Sequence, residues 1–299
     1  MKVTLHISCV KKTIYSFEIL PPFIKHNIQH IFNILYQLIE FNPPFVNITS
    51  HKDNEIQKNF KRIGTVSICG AIMHKYEIDA IPHFICGRFT KQMIEDALIE
   101  FNFLGLYNIL ILRGEMMKSS TETSVYNYSI GLVKQIAALN KSLFLIDGLK
   151  NNHPYDYCIG VAAYPEKHFE APNIEEDIFR LYEKIIAGSY YLITQMFFDN
   201  NKYYYYIEIL RFAGLAVPII PGIKPISSID QLKKIPSNFY VEIPINLVKQ
   251  VVESKKDIFY IGIEWAIKQS IELKEAGIPI IHYYTMNKPD NIYQIVIEL

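Results

Sequence analysis

The sequence predicts an α/β chain in which residues 1–299 form a single (β/α)8 barrel of the TIM type. Three observations predict it. Apolar β-type runs alternate with helical patterns almost from end to end. Several of these runs are continuously apolar, as parallel strands covered on their outer face by helices require. The length of 299 residues exceeds that of most single domains, yet α/β barrels reach it as one unit.

The candidate strands, in order, are Thr13–Leu20, Phe45–Ser50, Ile81–Gly87, Asn108–Arg113, Ile159–Tyr164, Tyr191–Phe198, Pro218–Ile223 and Ile280–Thr285. Helical periodicity fills the spaces between them. Ile24, Ile28, Ile31, Leu35, Leu38 and Ile39 recur at three- and four-residue steps and form one apolar stripe. Thr90 is placed to cap a helix through Met93, Ile94, Ala97, Leu98 and Phe101 that ends near Gly105. Asn173 is placed to cap another, with Glu175, Glu176 and Asp177 at the positive end of its dipole and Gly188 as its stop. Two stretches break the rhythm: a polar connection at Asn140–Asp156, and extra helical material at Ser227–Gly277 that carries Trp265. No Gly-, Ser- or Pro-rich linker divides the chain, and nothing repeats beyond the βα unit. Eight strands in this alternation fit a closed barrel better than an open sheet.

Composition narrows the function. Half the residues are hydrophobic, enough for a large core. Thirty basic residues balance thirty acidic ones, so the excess of positive charge that nucleic-acid binding needs is missing. Lys11-Lys12 and Lys255-Lys256 read as solvated surface. The first twelve residues lack the apolar core and cleavage site of a signal peptide. No apolar run reaches the roughly 20 residues that span a bilayer. Cys9, Cys69, Cys86 and Cys158 are scattered and read as buried free thiols of a cytoplasmic protein, with no metal site expected. The run Tyr203–Tyr206 reads as compositional drift.

Catalytic groups of barrel enzymes project from the C-terminal ends of the strands. Glu18 ends the first strand and Thr49 the second, while His83 lies in the third. Arg113-Gly114-Glu115 follows the fourth, Tyr164 and Glu166 the fifth, and Gln195 lies in the sixth. Polar side chains within apolar strands need partners, and a shared ligand would satisfy several at once. Strand alternation sends Ser16 and Glu18 to one face and Phe17 and Ile19 to the other, so the polar pair is expected inside the barrel. A carboxyl with little water around it keeps its proton and serves as a general acid; the alternative is a Glu paired to a Lys or Arg. Gln195 offers the donors and acceptor that reading a heterocycle edge requires, or a structural bond to backbone. His83 alone reads as a core histidine. Gly114, between a cation and a carboxylate, would let backbone approach a cofactor closely. There is no Gly-x-Gly, no HExxH and no Gly-x-Ser-x-Gly anywhere in the chain, which removes Rossmann, zincin and serine-hydrolase motifs.

Seven segments, taken together, resemble the methylenetetrahydrofolate reductase family. They are Ser16–Pro22, Pro82–Cys86, Leu112–Glu115, Val161–His168, Ile193–Asp199, Ile219–Ile223 and Tyr284–Lys288, in family order and across nearly the whole chain. The resemblance implies a cytoplasmic barrel that holds FAD and reduces 5,10-methylenetetrahydrofolate to 5-methyltetrahydrofolate. NADH or NADPH would be the co-substrate, and NAD(P)H and folate would take turns on one flavin face. A homo-oligomer is expected. By position, Glu18 matches the acid that protonates the substrate so that its ring opens to an iminium. Glu115 matches a catalytic carboxylate beside flavin and folate. Gln195 and Gln231 match substrate-contacting amides, and Lys288 a position that holds a substrate carboxylate. Thr49, His83, Arg113, Gly114, Glu115, Tyr128, Ala162, Tyr164, His168, Asp177 and Lys184 match cofactor-contacting positions.

The chain departs from the family pattern at several points. Glu115 replaces the usual Asp and reaches one methylene further, and Ser50 replaces an aromatic. Gly131 stands for an acidic residue, Glu183 for a basic one, and Lys288 for Arg. The connections after the second and fourth strands are short. These departures motivate a second reading, a degenerate barrel that binds flavin or folate without efficient turnover. A pterin-binding methyltransferase would want a cobalamin or zinc-thiolate site, which the separated cysteines do not supply.

Overall fold

A computed structural model describes residues 1–50, 62–87, 89–114, 125–146, 154–253 and 257–299. Eight parallel strands close into a barrel in sequence order: β1 (Ile14–Ile19), β2 (Phe45–Ile48), β3 (Asp79–Ile85), β4 (Asn108–Leu112), β5 (Cys158–Ala163), β6 (Ser189–Met196), β7 (Ile219–Ile223) and β8 (Ile280–Tyr284). Each coincides with a candidate strand to within two residues. Closure is made by β8 on β1, with Ile14 opposite Ile280 and Glu18 opposite Tyr284.

Side-chain alternation gives each strand two jobs. Outward residues such as Phe17, Ile19, Val46, Ile48, Ile109, Leu192 and Tyr283 pack under the helices in one large core. Inward residues at the strand starts, among them Phe45, Ile81, Leu110, Cys158, Ile220 and Ile280, form a second, apolar layer. Helix α1 (Val3–Cys9) caps that end of the barrel: Val3 belongs to the inner layer, and its N–H donates to Asn108 Oδ1 at 3.0 Å. The lower bore is therefore filled.

The helices follow the sequence reading with informative exceptions. Ile31, Leu35 and Leu38 of α2 (Ile28–Leu38) are fully buried, each worth roughly 1.5–3 kcal/mol. The stripe's first member, Ile24, is 60% exposed, because extended backbone at Asn27 starts the helix only at Ile28. After α3 (Thr65–Tyr76), Thr90 Oγ1 caps α4 (Lys91–Phe103) by accepting from Met93 N–H at 3.1 Å. After α5 (Ser129–Asn140), Asn173 caps α6 (Ile174–Ile186) by accepting from Glu176 N–H at 2.8 Å. In α7 (Asn200–Phe212) the tyrosine run proves to be core architecture: Tyr203 stacks on Phe197 at 5.3 Å and donates to Ile219 O, and Tyr206 is buried one turn on. The Asn140–Asp156 connection is anchored at both ends, since the Asn140 amide bonds the N–H and carbonyl of Tyr157.

The Ser227–Gly277 insertion folds into α8 (Gln231–Phe239), α9 (Ile245–Glu253) and α10 (Ile258–Glu275), and α11 (Pro289–Val296) follows β8. The insertion builds a third cluster with Met196, Phe198 and Ile226, against which Trp265 packs while donating to Phe198 O. All four cysteines are free; three are buried, but Cys9, at the end of α1, is exposed, contrary to expectation. Among the described residues no helix is long and apolar enough to cross a membrane. No group of three or more His, Cys, Asp or Glu among them could hold a metal ion.

Candidate functional site

Above the apolar layer the inward positions turn polar. The middle level carries Ser16, Asn47, His83 and His282, all buried. Glycines complete it where aromatic rings cross the bore. A Cβ on Gly160 would lie 2.3 Å from the Tyr191 ring, and one on Gly222 would lie 2.5 Å from the Tyr284 ring and from Thr194 O. The hydroxyl of Tyr284 donates to Thr194 O at 2.6 Å, tying β8 to β6 across β7.

Glu18 stands at the mouth, one inward position above Ser16. Its side chain is 12% exposed and its Oε2 lies 3.5 Å from His83 Nε2. Among the described residues no Lys or Arg pairs with it, so the ion-paired alternative finds no support among them. Burial pushes its carboxyl up to about 8, which keeps it protonated at neutral pH. The same His83 Nε2 also meets Asn47 Nδ2 at 3.3 Å. Below them His282 Nδ1 meets Ser16 Oγ at 2.9 Å, and burial holds its imidazole down at about 3, hence neutral. The β1–β8 edge is rigid: Thr285 Oγ1 donates to Glu18 O at 2.6 Å, and the Asn287 side chain bonds the N–H and carbonyl of Leu20.

Beside the mouth, between the ends of β4 and β5 and helices α5 and α6, opens a cleft of about 270 Å³. Arg113, Tyr128, Ala162, Tyr164, His168, Asp177 and Lys184, which the family resemblance matches to cofactor-contacting positions, all line it. Tyr128 lies under the Arg113 guanidinium at 5.0 Å. Asp177 Oδ2 accepts from His168 N–H at 3.0 Å, and the His168 ring meets Tyr164 edge-on at 4.7 Å. Burial, then the Asp177 charge, pushes the Tyr164 hydroxyl up to about 12. Burial lowers the Lys184 ammonium, partly offset by Asp177. Arg180 and Glu183 also line the cleft, as does Glu170, which pairs with Arg113.

The donor set fits a dinucleotide. Three cations (Arg113, Arg180 and Lys184) suit phosphates, and the aromatic rings suit a base. A cleft of this size accommodates one end of such a molecule. Toward the mouth, the buried Thr49 Oγ1 has no hydrogen-bond partner among the described residues, as a hydroxyl kept for a ligand would show.

Other predicted residues fall as follows. Gly114 has φ +75°, and a Cβ there would lie 2.2 Å from Ile85 Cγ2. The close approach that demands glycine is therefore to Ile85. Gln195 Oε1 accepts from the adjacent Met196 N–H, and no hydrogen bond of its amide nitrogen is formed among the described residues. Gln231 clasps Ser227, accepting from its N–H at 2.8 Å and donating to its Oγ. Lys288 is exposed on the turn after β8. Glu166 turns away, pairing with Lys202 at 3.3 Å. Gly131 gives up its Cβ to the Tyr126 ring, which would lie 2.2 Å from one. Glu115 and most of the short connections expected after β2 and β4 lie outside the described residues.

Sequence reasoning missed Asn47, Lys224, His282 and Glu170. The first three repeat the alternation of their strands at inward positions, a signal that was present; Glu170 sits in a loop without one.

The sequence profile described as "Methylenetetrahydrofolate reductase" matches residues 2–299. "Methylenetetrahydrofolate reductase 1" of Schizosaccharomyces pombe is 29% identical over 99% of this chain and 47% of its own length. "5,10-methylenetetrahydrofolate reductase" of Escherichia coli is 29% identical over 94% of this chain and 88% of its own length. The chain thus spans about half the length of some relatives it matches and most of others. Among solved structures, a Clostridium thermocellum protein described as binding two copies of 5-methyl-5,6,7,8-tetrahydrofolic acid superposes with TM-score 0.63 at 18% identity, covering 99% of this chain and 97% of that one. That likeness is one of fold.

Proposed function

The chain belongs to the methylenetetrahydrofolate reductase family, and from that premise we propose that residues 1–299 form one FAD-binding catalytic barrel that reduces 5,10-methylenetetrahydrofolate to 5-methyltetrahydrofolate with NAD(P)H. The observation that carries the reading is Glu18: a buried, protonated carboxyl at the mouth, which among the described residues meets no cationic group except the imidazole at 3.5 Å.

FAD, when bound, supplies hydride chemistry that no side chain here can perform. Arg113, Arg180 and Lys184 would hold its phosphates, with Tyr128, Ala162, Tyr164, His168 and Asp177 around them. Thr49, His83 and the Gly114 backbone would face its ring system. Glu18 holds the proton that opens the folate five-membered ring, delivered from Oε2. His83 and Asn47 fix that carboxyl and accept the charge change when the proton leaves. The Gln195 amide nitrogen donates to the pterin edge, Gln231 braces the β7 loop beside it, and Lys288 receives a substrate carboxylate. Glu115 takes the part of the second catalytic carboxylate.

Buried unpaired thiols at Cys69, Cys86 and Cys158 fit a cytoplasmic setting. Exposed Phe179, Tyr182 and Ile186, on one face of α6, fit a homo-oligomer. The degenerate-barrel alternative draws on the departures at Glu115, Ser50 and Gly131; the presence of Glu18 and Gln195 argues against it.

The test is anaerobic. NADH should bleach the flavin absorbance of the purified protein, and methylenetetrahydrofolate should restore it. Bleaching without recovery would reduce the chain to a flavin reductase, and a colourless protein that binds no added FAD would favour the degenerate barrel.

A further inference from the structure

Lys224 is a buried cation of the barrel mouth that neither the strand pattern nor the family resemblance singled out. It follows β7 directly, and the strand's alternation puts it on the inner face above Ile220 and Gly222. Only 9% of its surface is exposed. A lysine this deep is ordinarily paired with an acid. Among the described residues none makes an ion pair with it, and the charge that acts on it is a second cation, Lys288. Burial, then the Lys288 charge, lowers its ammonium from the usual lysine range.

The backbone that presents both cations is fixed. On the β7 side, α10 approaches so closely that a Cβ on Gly262 would lie 1.7 Å from Ile226 O, and Ile226 is buried. Gln231 clasps the next residue, Ser227. On the β8 side, Asn287 is bonded to Leu20 and Lys288 N–H closes the turn on Thr285 O at 2.9 Å. Two ammonium groups close enough for one charge to act on the other, on rigid supports and with no acid pairing with Lys224 among the described residues, make an anion site. One is deep and one exposed, so a ligand with two negative groups can span them from the mouth outward.

We propose that Lys224 is a specificity-determining residue of the folate site, binding with Lys288 the carboxylates of the substrate's glutamyl tail. The inference rests on the proposed folate chemistry, to which Lys288 already belongs; Lys224 adds a desolvated cation for the second carboxylate. A desolvated ammonium discriminates strongly, because a ligand without the matching charge leaves it uncompensated.

The experiment compares binding to the holoenzyme of 5-methyltetrahydrofolate and of the corresponding tetrahydropteroyl amide, which keeps the pterin and benzoyl groups and carries no carboxylate. The folate should bind more tightly by about tenfold or more at low salt, and the ratio should shrink as salt is raised. Lys224→Met should bring the ratio toward one, and Lys224→Arg should keep most of it. A ratio unchanged in Lys224→Met overturns the inference, and so does equal weakening of both ligands, which a purely structural lysine would give. Failure of the unmodified holoenzyme to bind either ligand overturns the folate reading and this inference with it.

Discussion

Replacing Glu18 with Gln isolates one proton. The amide keeps the shape of the neutral acid and cannot donate to the substrate as an acid does. With the carboxyl raised to about 8, roughly nine molecules in ten carry that proton at pH 7. A positioned general acid is worth on the order of 10²–10⁴ in rate, about 3–5 kcal/mol of barrier. Reoxidation of reduced flavin by methylenetetrahydrofolate should fall by that factor in Glu18→Gln, while bleaching by NADH persists. In the unmodified protein the same half-reaction should decline about tenfold per pH unit above 8, and the variant should lose that limb. Stability gives an independent reading. Between 4.5 and about 8 the folded protein holds a proton that the unfolded chain has released. Its stability therefore falls as pH rises through that window, by about 1.4 kcal/mol per pH unit and roughly 5 kcal/mol in all. Glu18→Gln removes this loss, so the two proteins should melt together near pH 4 and the variant should be the more stable at pH 8. Anaerobic stopped-flow and melting curves across pH measure both effects. Equal loss of the two half-reactions, or a variant less stable at pH 8, would refute the reasoning.

Three further substitutions probe the supports of the site. Gly114→Ala forces a side chain into left-handed backbone at φ +75° and against Ile85, so it should cost about 1–3 kcal/mol or more of stability; an unchanged denaturant midpoint contradicts this. Lys184→Met removes a cleft cation and should loosen FAD by roughly tenfold, seen as flavin fluorescence released on dilution, and full retention would move the phosphates elsewhere. Gly262→Ala must push α10 away from Ile226, so it should weaken folate binding and leave FAD retention unchanged. Equal loss of both ligands would show a global collapse.

Strand pattern carried most of the fold. Runs such as Phe45–Ser50 and Ile280–Thr285 are too short for helices and too apolar for loops, so β2 and β8 were legible to within two residues. The inward direction of Glu18 was legible for the same reason: Phe17 and Ile19 flank it, and only one face of β1 is covered by helices. What the pattern could not show is why a residue type is required. The glycine at 114 answers to Ile85, and the tyrosine at 203 to Phe197 and to Ile219 of β7, neighbours that only the folded barrel brings against it. Glu170 is a loop residue whose partner, Arg113, lies 57 positions earlier, a distance that no local periodicity encodes. Lys224 had a readable place in its strand, but its lack of an acid partner among the described residues is a property of the surroundings and emerges only once they are assembled.

The capping of the barrel's lower end by α1 has a consequence for traffic. Among the described residues, a vessel stoppered at its base and crossed by the Tyr191 and Tyr284 rings has its doorway at the mouth. Nothing that enters can leave by a back exit, so an electron donor and an electron acceptor cannot file through from opposite sides. If both are served at this mouth they must queue, each departing before the next arrives. The order of events in such an enzyme is then a matter of plumbing: parallel double-reciprocal plots, and each substrate at high concentration blocking the door against the other.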